Sequence, residues 1–336
     1  MHNLIHYLDD FLLFGAPGSS ECLQALHSTL TTCQELGIPL ALHKVEGPTT
    51  RLIFLGINLD SSQMALSLPD DKLLRLRGLL QQWSHFKCIR DPQQFQSLLG
   101  HLVHTTQVVP LGKAYLNHLF SLAQDLRPGQ FRRLNCAARS DIAWWANLCD
   151  LWPGISVHQF LLLQEPSHHL YSDASGSWGC GAWSLPSWVQ LPWQGIPHLN
   201  SIALKELFPI VLACALWGAS WRGTYVLCHS DNTAAVAQVN KLHARDPLAT
   251  HLLHCLAFFQ ASFDFRIRAV HISGQLNTGA DDLSRDRAGH FLAAYPSASP
   301  HPTQVPPQVL DLLLSHQADW TSPQWRQLCS NFWRQA

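Results

Sequence analysis

Residues 1–66 alternate short apolar runs with turn residues, a pattern typical of short strands around one helix. The opening MHNLIHYLDDFLLF predicts two apolar strands joined by an acidic turn at Asp9 and Asp10. Apolar residues recur at helical spacing over residues 20–36, where the breakers that follow end the predicted helix. The apolar run at residues 52–56 predicts a further strand. Strands and a helix thus alternate in this first stretch.

The pattern becomes helical over residues 69–125. The acidic Asp70 favours a helix N-terminus, and Asp91 opens another helix with Gln94 placed for a capping box. Residues 126–164 contain the breakers RPGQ and LWPG around an apolar helix with two tryptophans, as expected of a connector.

A mixed pattern of strands and helices begins at Leu170. One strand leads into Asp173, and a Gly-rich turn connects it to a second strand that ends at Trp183. The elements predicted after these are helices at 203–217, 232–240 and 246–260 and strands at 224–229 and 265–272. This order predicts an α/β (α+β) domain with a mixed sheet. Beyond residue 290 a Pro-rich linker and a helical tail at 307–334 are expected.

Composition indicates a folded protein. Hydrophobic residues make up 47% of the chain and charged residues only 13%, whereas disordered chains combine low hydrophobicity with high net charge. The net charge of -1 and the pI near 7.0 are not the basic balance of a free-standing nucleic-acid binder. A nucleic-acid partner would therefore need basic surface on another part of a larger protein.

Cysteine and histidine spacing excludes two kinds of site. The ten cysteines form no C-x-x-C pair, so neither a disulfide framework nor a zinc finger is indicated. The twenty histidines are dispersed, and only His271 stands in a context that suggests chemistry. The N-terminus carries no secretory pattern and no run of about 18 apolar residues occurs, which predicts an intracellular protein, cytoplasmic or nuclear, without a membrane partner.

Four acidic residues stand where strands or helices begin or end, beside small or polar residues. They are Asp173, Glu206, Asp231 and Asp281. Taken singly, Asp231 and Asp281 are also explained as helix caps, and a surface position is the ordinary alternative for the others. Taken together, they fit two-metal phosphodiester hydrolysis, in which several carboxylates surround two cations about 3.5 to 4 Å apart. Oxygen ligands suit Mg²⁺ or Mn²⁺ better than zinc.

Four segments resemble the retroelement ribonuclease H family: SDASGSWGCGAW, KEL, HSDNTAAV and HISGQLNTGAD, in the family's order. The resemblance implies two Mg²⁺ (or Mn²⁺) ions as cofactors and an RNA-DNA hybrid as substrate. It implies that the metal ligands are Asp173, Glu206, Asp231 and Asp281. It also implies that His271 is a mobile proton-transfer residue that assists product release. Asp282 is the competing candidate for the last ligand.

The N-terminal half resembles a reverse transcriptase of the DIRS-like or gypsy-like elements. The motif YLDD, with LGIPLALHKVEG and IFLGINLD downstream, carries the likeness. The resemblance implies that Asp9 and Asp10 bind metal ions. The substrate-binding residues that it implies are Tyr7, Lys44, Phe54, Leu55 and Gly56. For the FLG segment a plain core strand is the alternative.

The resemblance divides the chain into four parts. They are a partial reverse-transcriptase palm at 1–66, a helical thumb and connection at 67–164, a ribonuclease H-like domain at 165–290, and a Pro-rich linker with a helical tail at 291–336. The family needs another palm Asp and the fingers, and this sequence begins six residues before Tyr7. We therefore expect a polymerase truncated within the palm that does not polymerise DNA by itself.

The leading functional hypothesis is a ribonuclease H that cleaves the RNA strand of hybrids. The alternative is an inactive or domesticated remnant that binds nucleic acid or a protein. Retention of all four acids and His271 favours the enzyme. The remaining polyprotein and a second copy of the chain are further candidate partners, and DWTSPQW within residues 300–336 could begin a recombinase module.

Overall fold

The computed structural model describes residues 4–89, 91–124, 126, 131–151, 155–156, 165–196 and 199–314. They form two compact units. The first unit is Met1–Leu73 with Gly154–Val157, and the second is Leu74–Pro153 with His158–Ala336. Helices and mixed sheets are both present, so the predicted α/β class is confirmed.

The described elements are numbered in chain order. The strands are β1 Leu4–Tyr7, β2 Asp10–Leu13, β3 Arg51–Phe54, β4 Ile57–Asp60, β5 Ala65–Ser67, β6 Cys88–Ile89, β7 Arg132–Arg133, β8 Ile155–Ser156, β9 His168–Ala174, β10 Gly179–Ser184, β11 Ser187–Pro192, β12 Tyr225–Ser230 and β13 Arg266–His271. The α-helices are α1 Glu21–Glu35, α2 Asp70–His85, α3 Pro92–Thr105, α4 Asn117–Gln124, α5 Cys136–Leu151, α6 Ile202–Trp217, α7 Thr233–Lys241, α8 Pro247–Phe263, α9 Thr278–Ser284, α10 Ala288–Ala294 and α11 Pro307–Leu314. Short 3-10 helices lie at Leu42–Lys44, Pro110–Leu116, Gly218–Trp221 and Gly274–Leu276.

Two hairpins in the first unit carry the motifs that resemble reverse transcriptase. β1 and β2 pair with Tyr7 opposite Asp10, which leaves Leu8 and Asp9 in the turn. The hairpin is confirmed, but Asp10 belongs to a strand and not to the predicted turn. The predicted strand at residues 52–56 is also too long. β3 ends at Phe54, and a tight turn to β4 begins at the next residue, where two consecutive positive φ angles occur.

The helical part of the second unit has a tightly packed aromatic core. Phe95, Tyr115 and Trp145 are fully buried. Asp91 accepts hydrogen bonds from the N–H groups of Gln93 and Gln94, so the predicted helix start is confirmed.

The rest of the second unit, as described, is a five-stranded sheet with the helices α6 to α11. The strand order is β11-β10-β9-β12-β13. β9, β10 and β11 are antiparallel neighbours, whereas β12 and β13 run parallel to β9. Gly181 and Trp183 face α9 and α10, and the intervening positions of β10 face α6, because side chains alternate along a strand. The predicted strands and helices of this region are confirmed, and β11 is an additional edge strand.

Helix α6 is the apolar centre of this sheet domain. In the part of the chain that the structure describes, Ile202–Trp221 is the single helical stretch long and apolar enough to cross a membrane by length and composition. Two observations indicate a core helix instead. Most of the stretch is buried inside the protein, and it carries Lys205 and Glu206.

The segment after residue 290 packs against the sheet domain instead of forming a free linker. Trp188 Nε1 donates a 2.7 Å hydrogen bond to the Ser299 carbonyl, and Trp217 Nε1 donates one of 3.1 Å to Thr303 Oγ1. Proline-rich composition predicted the lack of helix correctly over residues 295–306, whereas residues 291–294 of the predicted linker belong to α10. It did not predict these contacts, because indole N–H groups can bond to any exposed carbonyl or hydroxyl. The tail helix is described as far as Leu314. The rest of the predicted tail lies outside the described residues.

The predicted boundary near residue 164 falls inside one compact unit. Tyr115 Oη donates to the His254 carbonyl, and Asn117 Nδ2 donates to the Leu242 carbonyl. The helices predicted as thumb and connection therefore rest directly on α8 and on the loop before it.

Candidate metal centre

The parallel strands bring two predicted acids and one histidine to the same sheet edge. Asp173 lies near the carboxyl end of β9, Asp231 directly follows β12, and His271 ends β13. Ser230, just before Asp231, pairs with His271. Carboxyl ends of parallel strands share one edge, which is where open α/β sheets bind their ligands.

Helix α6 supplies a third acid to this edge. Asp173, Glu206 and Asp231 each offer a carboxylate oxygen, and these oxygens all lie within 4.8 Å of one another. A backbone hydrogen bond from Ala174 to Glu206 joins α6 to the end of β9. Three of the four predicted acids therefore converge, although they come from positions far apart in the chain.

The electrostatics of the three acids favour a bound cation. Burial, reinforced by Asp173 and Asp231, raises the pKa of Glu206 to about 9. Burial also raises the pKa of Asp173, with further contributions from the charges of Asp231 and Asp281. Glu206 Oε2 is buried without a hydrogen-bond partner among the described residues. Carboxylates crowded in this way are neutralised either by protons or by a cation, so the donor set fits divalent metal ions.

The helix-cap explanation of Asp231 fails. The cap of α7 is Asn232, whose Oδ1 accepts 3.0 Å hydrogen bonds from the N–H groups of Ala234 and Ala235. The carboxylate of Asp231 is therefore not used to cap α7 and can serve as a metal ligand. A Cβ atom at Gly274 would lie 3.0 Å from Asp231 Oδ2, so the loop after β13 passes close to this acid.

Asp281 differs from the other three acids. Its carboxylate is ion-paired with Arg285 Nε at 2.6 Å and with Arg287 Nη2 at 2.5 Å, and it is not in the group of three. It lies in the first turn of α9, after the N-cap Asn277, so it is not the cap either. Its charge nevertheless contributes to the raised pKa of Asp173, which places it near the centre.

The competing candidate Asp282 is held elsewhere. Its side chain is buried and pairs with Arg287 Nε at 2.8 Å and with His290 Nδ1 at 2.5 Å. These contacts connect α9 to α10, and Asp282, like Asp281, lies outside the group of three.

Two residues that support the acidic centre were not predicted from the sequence. Ser284 Oγ donates a 2.5 Å hydrogen bond to Asp173 Oδ2, and Asn277 Nδ2 donates one of 2.9 Å to the Ser172 carbonyl. Both are buried polar residues on or beside α9. Asn277 stands in the quoted motif, which was the available signal, whereas a serine one turn after an acid carries none.

The predicted polymerase residues all lie in the first unit. Tyr7, Asp9, Asp10, Lys44 and Leu55 are exposed, and Phe54 and Gly56 are half-buried. Within the described residues, Asp9 and Asp10 belong to no group of three side chains close enough to share a metal ion. Their assigned roles stay predictions.

Comparisons with known proteins do not assign a function to the chain. No family model and no curated protein matches the chain. A solved structure of the foamy viral protease-reverse transcriptase dRH in complex with double-stranded DNA aligns with a TM-score of 0.38 and 14% identity. The alignment covers 80% of this chain and 46% of that one, so the chain spans less than half of its length. At this TM-score the likeness carries no weight for function, which must rest on the centre itself.

Proposed function

We propose that the second unit is a ribonuclease H that hydrolyses the RNA strand of RNA-DNA hybrids. One observation carries the proposal. Asp173, Glu206 and Asp231, picked out in the sequence by their motifs, meet within 4.8 Å at the carboxyl edge of a mixed five-stranded sheet.

The proposed cofactors are two Mg²⁺ (or Mn²⁺) ions held by these acids, with Asp281 as the fourth. When bound, the ions supply an activated water nucleophile and stabilise the charge on the leaving oxygen. Carboxylate oxygens are the ligands that such hard cations prefer.

The remaining roles belong to side chains of this protein. Ser284 donates to Asp173 and favours its ionised form. His271 is exposed at the end of β13, so it can exchange a proton with the departing product strand at the edge where the acids meet. Asn277 fixes the start of α9 against β9 through the Ser172 carbonyl.

A second candidate function is a catalytically inactive module that binds nucleic acid or a protein. The ion pairs that Asp281 makes with Arg285 and Arg287 favour this candidate, because they already neutralise the fourth acid. Both candidates have the same fold, but only the nuclease cleaves RNA, so a cleavage assay distinguishes them.

The test uses the whole chain, a hybrid with end-labelled RNA, and Mg²⁺. The Asp231→Asn variant should lose at least about 100-fold in cleavage rate, since even outer partners of metal ligands are typically worth 10–100-fold. The matched control is Asp246→Asn, because Asp246 caps α8 through its side chain and asparagine caps equally well. Metal-dependent cleavage by the control but not by Asp231→Asn supports the nuclease. If the wild-type protein does not cut the hybrid, the nuclease proposal fails and the inactive binding module is the remaining candidate.

A further inference from the structure

A second group of ionisable side chains lies between three helices of the second unit. His118 is on α4, Asp141 on α5 and His254 on α8. Each offers one ligand atom, and these atoms lie within 4.8 Å of one another. Neither the sequence motifs nor the proposed nuclease uses this group.

Asp141 has a buried oxygen without a hydrogen bond. Its side chain is fully buried. Oδ2 lies 3.1 Å from His118 Nδ1, whereas Oδ1 has no hydrogen-bond partner and lies 3.7 Å from His254 Nε2. A buried carboxylate with one oxygen unsatisfied is costly, so Oδ1 can gain from a further partner beside the one that Oδ2 has in His118.

The spacing suits a tetrahedral metal ion. With metal-to-ligand bonds of about 2.0 Å, tetrahedral ligands lie about 3.3 Å apart. The two imidazole nitrogens lie 3.1 Å and 3.7 Å from different oxygens of Asp141, so the carboxylate must turn to present one oxygen to the ion or bind it through both. Two imidazoles and one carboxylate are a ligand set for zinc, whereas magnesium prefers oxygen ligands in octahedral geometry.

His254 is held in position by its surroundings. Tyr115 stacks on His254 at a centroid distance of 4.4 Å and on Trp144 at 3.8 Å. His254 Nε2 also lies 2.9 Å from the Ala114 carbonyl, a hydrogen bond that metal binding would replace. A neutral imidazole has one N–H and one lone pair. Because Nε2 donates to the Ala114 carbonyl, binding a metal ion through Nε2 moves the ring proton to Nδ1.

We propose that His118, Asp141 and His254 bind one Zn²⁺ ion, which fastens α4 and α5 to α8. The side chain of His118 is 27% exposed and offers a path for the ion and for a water molecule as fourth ligand. The site joins the helices predicted as connection to the sheet domain and is independent of the nuclease centre.

The experiment compares zinc binding by the full chain and its variants after treatment with a chelator. Zinc content is measured by elemental analysis and melting temperature by a thermal shift assay. His118→Ala removes the partly exposed ligand, Asp231→Asn weakens the acidic centre, and His101→Ala on α3 is the matched control. Cobalt(II) added to the wild-type protein gives an independent readout, because tetrahedral sites have intense visible absorption.

The wild-type, Asp231→Asn and His101→Ala proteins should each bind one zinc ion that His118→Ala does not. Zinc at a hundredfold excess over Kd should raise their melting temperature by about 5 °C, and that of His118→Ala much less. Equal zinc binding by the wild-type and His118→Ala proteins would overturn the proposal. So would a wild-type cobalt spectrum without tetrahedral bands, whether or not the variants fold.

Discussion

Ser284 Oγ and Asp173 Oδ2 are joined by a 2.5 Å hydrogen bond that ties α9 to β9. The bond opposes the effect of burial, because a donated hydrogen bond stabilises the ionised carboxylate. Burial still prevails, and the pKa of Asp173 is raised. A residue outside the acid group thus lowers the pKa of an acid within it, although burial has the larger effect.

Replacing Ser284 by alanine should shift the pH-rate profile of hybrid cleavage to higher pH. Loss of the hydrogen bond raises the pKa of Asp173 further, so less carboxylate is ionised at neutral pH. We expect a rate about 10-fold lower at pH 7, typical of outer partners of metal ligands. The control is Ser177→Ala in the exposed turn before β10. An unchanged profile in Ser284→Ala would refute this coupling.

Replacing Glu206 by glutamine should stabilise the metal-free protein above pH 5. The pKa of Glu206 is about 9 in the folded protein against 4.5 as reference. The folded state therefore binds a proton that the unfolded state has released, and stability falls as pH rises between these values. The free-energy difference between variant and wild type should widen by at most about 1.4 kcal/mol per pH unit. Urea unfolding at several pH values in EDTA measures it.

Magnesium should reduce the difference in unfolding free energy between Glu206→Gln and the wild-type protein. Bound cations stabilise the ionised Glu206 carboxylate of the wild-type protein, whereas they bind the amide of the variant more weakly. Repeating the urea series with excess Mg²⁺ provides the control. A free-energy difference that does not change with pH would show that folding does not raise the pKa of Glu206.

Gly181→Ala should loosen α9. A Cβ atom there would lie 2.3 Å from Leu283 Cβ and 2.9 Å from the Leu283 carbonyl carbon, so the helix must shift. Overpacking of this kind costs about 1–3 kcal/mol of unfolding free energy. Gly176→Ala is the matched control, because nothing lies within 4 Å of its added methyl. Equal melting temperatures of the two variants would contradict the close packing.

The neighbouring acids Asp281 and Asp282 should respond differently to replacement by asparagine. Asp282 is buried against Arg287 and His290, so Asp282→Asn should lose about 1 kcal/mol of stability. The ion pairs of Asp281 are partly exposed and contribute roughly 0–1 kcal/mol, so Asp281→Asn should keep its stability but require more Mg²⁺ for cleavage. The opposite pattern would make Asp282 the fourth ligand.

The sequence predicted the order of elements around the centre because hydrophobic periodicity and the acids stand together in short motifs. Glu206 could be singled out, since a carboxylate within an apolar helix stripe is costly unless it has a partner. The ion pairs of Asp281 with Arg285 and Arg287 were not predicted, although both arginines follow Asp281 closely in the sequence. The pairing of Asp141 with His254 was beyond prediction, because it depends on how helices more than 100 residues apart pack.

Cleavage of an RNA-DNA hybrid by Glu206→Gln shows whether the converging acids cut RNA, because this variant should be at least as stable as the wild-type protein yet lack one of the three carboxylates. Single-turnover rates in Mg²⁺ are measured for both proteins on the same labelled hybrid. We expect the variant to be folded and at least about 100-fold slower. Equal rates for the two proteins would contradict this expectation.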